Sequence, residues 1–196
     1  MKTGTTRRHW LRASLAAMAV MVMLAGCAST EPVDPKNERT SLVFGYFDMK
    51  DAPSSLDWVS IKQYGASSAY YRAGAKEGLF WHVGVDPGSY QVEKFGGLKR
   101  VLVFSSEVQY NYGTHGRNDT AIRVLTPGIY FMGAYRYVTH DGGFFSADKF
   151  EMEPVKSPSE KELLTRLVAE LESDRDLRAY TRQLALAKRR LAELSR

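Results

Sequence analysis

Few residues in this 196-residue chain have the types and spacing that chemistry needs. Beyond residue 40 there are three histidines, His82, His115 and His140. None belongs to a His-x-His, His-Glu-x-x-His or Cys-x-x-Cys pattern, so no metal centre is expected. A serine nucleophile would sit on a constrained turn of the Gly-x-Ser-x-Gly kind, and Ser67, Ser68, Ser105 and Ser106 have no such flanks. The carboxylate pairs Asp48/Asp51 and Glu151/Glu153 read as a turn and as a solvated strand face rather than as acid and base. Glycine pairs at 96–97 and 142–143 lack the following helix that a phosphate cradle uses. The chain is therefore expected to be non-catalytic. What remains are two polar loops, around residues 112–119 and 140–143. His115, Arg117, His140 and Asp141 are the candidate ligand contacts, because loops held by a rigid scaffold often carry binding residues. His82, inside Phe80-Trp81-His82-Val83-Gly84-Val85, reads as an ordinary strand histidine.

Cys27, the single cysteine, closes the run Leu24-Ala25-Gly26-Cys27. Before it come Lys2, Arg7, Arg8 and Arg12 with no acid, then an apolar or small stretch over 13–26. That stretch is short of the roughly 20 residues that a membrane span requires. A basic start, a short apolar centre and small residues before a cleavage point describe a secretory leader. The run resembles the lipobox of bacterial lipoproteins. The resemblance implies a diacylglycerol on the Cys27 sulfur and an N-acyl chain on its amine, which removes the thiol as a nucleophile. Two or three acyl chains anchor firmly where one does not. In that class Ala28, standing where Asp would retain the protein, implies sorting to the periplasmic side of the outer membrane. Thr6-Arg7-Arg8-His9-Trp10-Leu11-Arg12 also resembles a twin-arginine export signal, with Trp for Phe and Arg for Lys; paired arginines are common in such leaders, so ordinary unfolded export is the first expectation.

The leader changes what the charge means. The chain carries a formal net charge of +5 from 27 bases and 22 acids, but four of the bases precede Cys27. The remainder is almost balanced, so no nucleic-acid partner is expected. With Cys27 the only cysteine, neither a disulfide nor a cysteine zinc cluster is possible.

The elements that must position any site follow from periodicity. Residues 27–40 are the lipidated Cys and a polar, proline-bearing tether after a leader over 1–26. Residues 41–154 read as β, with strands at 42–47, 58–63, 79–85, 90–95, 100–104, 121–125, 129–138 and 144–152; 65–78 reads as a long connection. Val85-Asp86-Pro87-Gly88-Ser89-Tyr90 recurs as Leu125-Thr126-Pro127-Gly128-Ile129-Tyr130. Proline followed by glycine predicts a type II turn that reverses a strand, with glycine at positive φ. The Pro-Gly-x-Tyr element resembles that of prealbumin-like sandwiches, including carboxypeptidase regulatory domains and related lipoprotein domains. The resemblance implies a mainly β fold, an antiparallel β-sandwich. Tyr70/Tyr71, Tyr110/Tyr112 and Tyr135/Tyr137 would either fill its core or stack on a sugar.

Residues 155–196 are a helical extension of one or two helices. Ser157-Pro158-Ser159-Glu160 predicts an N-cap at Ser157 and a capping box. Leu163, Leu164, Leu167, Val168 and Leu171 form one stripe. Leu177, Tyr180, Leu184, Ala187, Leu191 and Leu194 form a coiled-coil-like a/d seam, free for a partner or packed on the same chain. The functional expectation is a lipid-anchored envelope module, without cofactor, that binds a protein or a cell-wall glycan. The alternatives are an accessory lipoprotein of a secretion or envelope complex and, further off, a cell-wall hydrolase.

Overall fold

The computed structural model describes residues 37, 39–65, 69–101, 104–112, 119–140 and 149–196. The leader, Cys27 and the tether up to residue 36 lie outside the described residues, as do His115, Arg117 and Asp141. Among the described residues no helix is long and apolar enough to cross a membrane.

The strands are β1 (Ser41–Asp48), β2 (Trp58–Tyr64), β3 (Tyr70–Lys76), β4 (Leu79–Val85), β5 (Gly88–Val101), β6 (Phe104–Asn111), β7 (Ile122–Val124), β8 (Ile129–His140) and β9 (Lys149–Pro154). All belong to one sheet in the order β6-β5-β2-β3-β4-β1-β8-β9, with β7 against β5. The fold is mainly β as expected, but the sheet is mixed rather than antiparallel. β1 lies between antiparallel β4 and parallel β8. Side-chain alternation reports which face is buried and carries no information on strand direction, so the parallel pair could not be read from it. A curled single sheet thus stands where two packed antiparallel sheets were expected, and a prealbumin-like arrangement is not shown.

The curl brings the two edges together over an aromatic core. Tyr110 on β6 and Phe150 on β9 have ring centroids 5.2 Å apart, and Tyr137 on β8 stacks on Phe150 at 5.4 Å. Val43, Phe47, Val59, Ile61, Phe80, Val92 and Phe95 fill the interior. β1 and β8 slip register between Phe44 and Tyr46. Gly45 lies there against Gly133, whose φ of +104° suits glycine; a Cβ on Gly45 would come within 2.5 Å of the Phe80 ring.

Neither Pro-Gly element makes the expected hairpin. β4 does not pair with β5, nor β7 with β8, so each element crosses to another part of the sheet. Neither Gly88 nor Gly128 takes a positive φ. A Cβ on Gly88 would instead meet the Gln63 amide at 2.6 Å, so this glycine serves close approach. The region read as a connection contains β3, which forms a hairpin with β4 closed by Glu77 (φ +50°) and Gly78 (φ +82°). Two positive φ values in a two-residue loop are the signature of a type I′ turn. Residues 100–104, expected as a strand of their own, straddle the end of β5 and the start of β6.

Two helices follow, α1 (Glu160–Ser173) and α2 (Thr181–Glu193), separated by a 3-10 turn over Leu177–Ala179. The cap is Ser159, not Ser157: its hydroxyl accepts from the Glu162 N–H, and the Glu162 carboxylate accepts from the Ser159 N–H. The Ser159 N–H, together with the Ser159 hydroxyl that also donates to this carboxylate, holds the Glu162 carboxyl below the usual range. Leu163, Leu164, Leu167, Val168 and Leu171 bury against Leu42, Phe44, Leu79, Val83 and Ala134 on the outer face of β4, β1 and β8. The α2 seam packs into the same cluster, so the a/d pattern is spent within the chain. Lys76 pairs with Glu170 at 2.8 Å, and Arg166 donates to the Glu77 carbonyl at 3.1 Å, which fastens α1 to the β3–β4 hairpin.

Candidate functional site

The helices cover half of the outer face of the sheet. Among the described residues, nothing covers the outer face of β6, β5, β2 and β3. Strand alternation decides what it shows: with Val59 and Ile61 turned inward, Trp58, Ser60, Lys62 and Tyr64 point outward from β2. Beside them stand Tyr70 and Arg72 from β3, Gln91, Glu93 and Lys94 from β5, and Glu107, Gln109 and Asn111 from β6. The surface is aromatic and polar, almost without aliphatic side chains; Leu98 at its margin is 42% exposed.

Two charge-paired clusters organise it. In the first, the Trp58 ring lies beside Gly96, where a Cβ would come within 2.9 Å of it, and the Arg72 guanidinium lies over the ring at 4.5 Å from its centroid. The indole N–H donates to the Glu107 carboxylate at 2.9 Å, and Arg72 pairs with the same oxygen at 3.6 Å. In the second, the Lys62 ammonium sits 5.3 Å from the Tyr64 ring and 5.1 Å from the Tyr70 ring, and donates to Glu93 at 2.9 Å. The hydrogen bond to Glu93 raises the Lys62 pKa, so it stays a cation. The Gln91 amide donates to the Tyr64 hydroxyl. Exposed pairs of this kind stabilise a fold by about 1 kcal/mol at most. Their effect is to fix where rings, donors and acceptors point. Tyr64 and Tyr70 are 41% and 49% exposed, enough to offer ring surface to a ligand.

The residues expected from the sequence fall elsewhere. His140, at the end of β8, has its Nε2 3.3 Å from a Glu151 oxygen across the β8–β9 pair. Both side chains are more than half exposed, and among the described residues they form a solvated pair on the strand surface. His82 points inward, half-buried against Tyr71 at 5.1 Å, and burial lowers its pKa to about 4. Tyr110, Tyr112, Tyr135 and Tyr137 line the interior with Phe47 and Phe95, which makes them core filling. A groove of about 510 Å³ lies between the end of β1 and the β3–β4 hairpin, lined by Asp48, Lys50, Asp57 and Lys76 among others. Asp57 there accepts from the Ser55 hydroxyl and the Leu98 N–H, so it works as a bracket for the loop before β2. Among the described residues no trio of His, Cys, Asp or Glu could hold a metal ion.

The site that sequence reasoning missed, Trp58, Arg72, Glu93 and Glu107 around Lys62, left one legible signal. Alternation over 58–63 already set Ser60 and Lys62 opposite Val59 and Ile61, and extending it one step each way would have placed Trp58 and Tyr64 outward. No family model, curated protein or solved structure matches this chain.

Proposed function

We propose that the chain is a non-catalytic binding module of a bacterial envelope, anchored through acylated Cys27 at the periplasmic side of the outer membrane. Its working surface is the open face of β3, β2, β5 and β6. The observation that carries the reading is the division of the outer sheet surface: one half is buried under α1 and α2, the other presents ordered aromatic and polar side chains. A face kept only for solubility needs charges alone; rings fixed among paired charges suit recognition. The leader and lipobox supply the anchor, and the polar tether supplies reach. Because the helical seam packs on the chain's own sheet, the open face is a better contact surface than the helices. The two Pro-Gly-x-Tyr corners support kinship with prealbumin-like domains at the level of the corners.

The test combines location with contact. Cys27→Ser should move the protein from the membrane to the soluble fraction. A photoreactive side chain at Ser60, in the middle of the open face, should crosslink envelope material, and the same group at Lys161 on α1 should not. Equal crosslinking at both positions, or at Lys161 only, rejects the face as the working surface.

A further inference from the structure

We infer that the open face binds a neutral oligosaccharide, laid along β2 and flanked by β3 and β5; the inference rests on the face being the working surface. The ligand class follows from what this face lacks as much as from what it holds. Around β2 its charges are cancelled locally, Lys62 by Glu93 at 2.9 Å and Arg72 by Glu107 at 3.6 Å, with Lys94 adding one further positive charge and Lys99 and Arg100 standing apart at the far end of β5. A polyanion would meet no strong field here. A protein partner would have to strip water from both ion pairs, and interface cores are depleted of such groups for that reason. Sugar hydroxyls donate and accept alike, so they bond carboxylate, guanidinium and amide groups without displacing the pairs, in an interface that stays wet. The apolar face of a pyranose ring needs an aromatic surface, which the half-exposed Tyr64 and Tyr70 offer on either side of Lys62. From Trp58 to Tyr64 is six residues of strand, about 20 Å, a length that suits an oligosaccharide rather than a single ring.

The experiment is ligand-observed saturation-transfer NMR on the full acylated protein in a detergent without a sugar headgroup, using chitotetraose, maltotetraose and tetragalacturonate. Expected is transfer to at least one neutral tetrasaccharide, little changed by added salt, and weakened about tenfold in a Tyr64→Ala/Tyr70→Ala variant whose far-UV circular dichroism and melting match the parent. Both tyrosines lie on the surface, so the double variant is expected to fold. Signal from tetragalacturonate only, lost as salt rises, overturns neutrality of the ligand. Silence from all three sugars, while the Ser60 photoprobe traps a protein, overturns the glycan and leaves the face as working surface. Sugar binding unchanged in the double variant, with a silent Ser60 probe, overturns the face itself.

Discussion

Tyr90 and Tyr130 make the same bond: each hydroxyl donates to the carbonyl oxygen four residues upstream, of Asp86 and Thr126, at 2.6 Å. The repeated Pro-Gly-x-Tyr element is therefore a repeated structure. Proline and glycine bend the chain, and the tyrosine returns over the bend to bond a carbonyl at its start. Both elements sit on crossings between strands that do not pair with each other.

Removing one of these hydroxyls should cost stability in proportion to burial. Tyr90 is 1% exposed, so Tyr90→Phe leaves the Asp86 carbonyl without this part-buried bond and leaves an unfilled space beside a buried ring. The expected loss is about 1–2 kcal/mol. At half-buried Tyr130, water can replace the hydroxyl, and Tyr130→Phe should lose under about 1 kcal/mol. Urea unfolding at neutral pH measures both; equal losses would show that the bond does not depend on its surroundings.

How much of this was legible beforehand depended on what kind of information each feature needs. β4 was readable to its bounds because Leu79–Val85 is apolar and flanked by glycine and proline. β3 was not, because two of its three inward residues, Ala73 and Ala75 beside Tyr71, are too small to show a period, and its identity as a strand comes from pairing with β2 and β4. β6 failed for a related reason: as an edge strand exposed over most of its length, Phe104–Asn111 carries little apolar signal. The helices were legible in their stripes but not in their destination, since an a/d seam looks the same whether it faces a partner or its own sheet. The binding face was the least visible part. It is assembled across four strands, and Glu107 reaches Trp58 only after the sheet has formed.

Gly45 and Gly74 should respond oppositely to alanine. At Gly45 a methyl would drive into the Phe80 ring inside the core, and Gly45→Ala should cost about 1–3 kcal/mol. Nothing lies within 4 Å of the corresponding position at exposed Gly74. There Gly74→Ala restricts the unfolded chain and should leave stability unchanged or raise it by up to about 1 kcal/mol. Melting temperatures of the two variants decide the matter, and destabilisation of similar size at both would contradict it.

Acid should act through His82. Burial lowers its pKa to about 4 from the usual 6.5, so the folded protein resists a proton that the unfolded chain accepts. Stability is then level above about pH 6.5 and falls with pH between 6.5 and 4, by no more than about 3 kcal/mol for this group. A His82→Gln variant removes that contribution, and its stability curve should be flatter than the parent's across this window. Parallel curves would mean that water already solvates the imidazole.

The helices should not be removable. Leu163, Leu164 and Leu167 are fully buried against Leu42, Phe44 and Leu79. Leu167→Ala should cost about 2–5 kcal/mol. Ending the chain after Lys156 would expose the whole outer apolar face of β4, β1 and β8, and the product should be insoluble or digested in limited proteolysis. A soluble, protease-resistant fragment would show that the sheet folds alone and would return the helices to the role of a detachable docking element.

Arg72 should hold Trp58 through its shape as well as its charge. The guanidinium carbon lies over the indole at 4.5 Å from its centroid, and the group pairs with the same Glu107 oxygen that accepts the indole N–H. A planar cation can do both at once, whereas an ammonium on a flexible stem offers a point charge without the stacking surface. Arg72→Ala and Arg72→Lys should therefore both shift Trp58 fluorescence to the red as water reaches the ring. Being exposed, the contact should cost under about 1 kcal/mol in either variant. Trp81, packed beneath the helices, gives a constant background. Emission from Arg72→Lys that matches the parent would reduce the contact to its charge. A red shift in both variants would establish a stacked, pre-set Trp58 on the face to which the oligosaccharide is assigned.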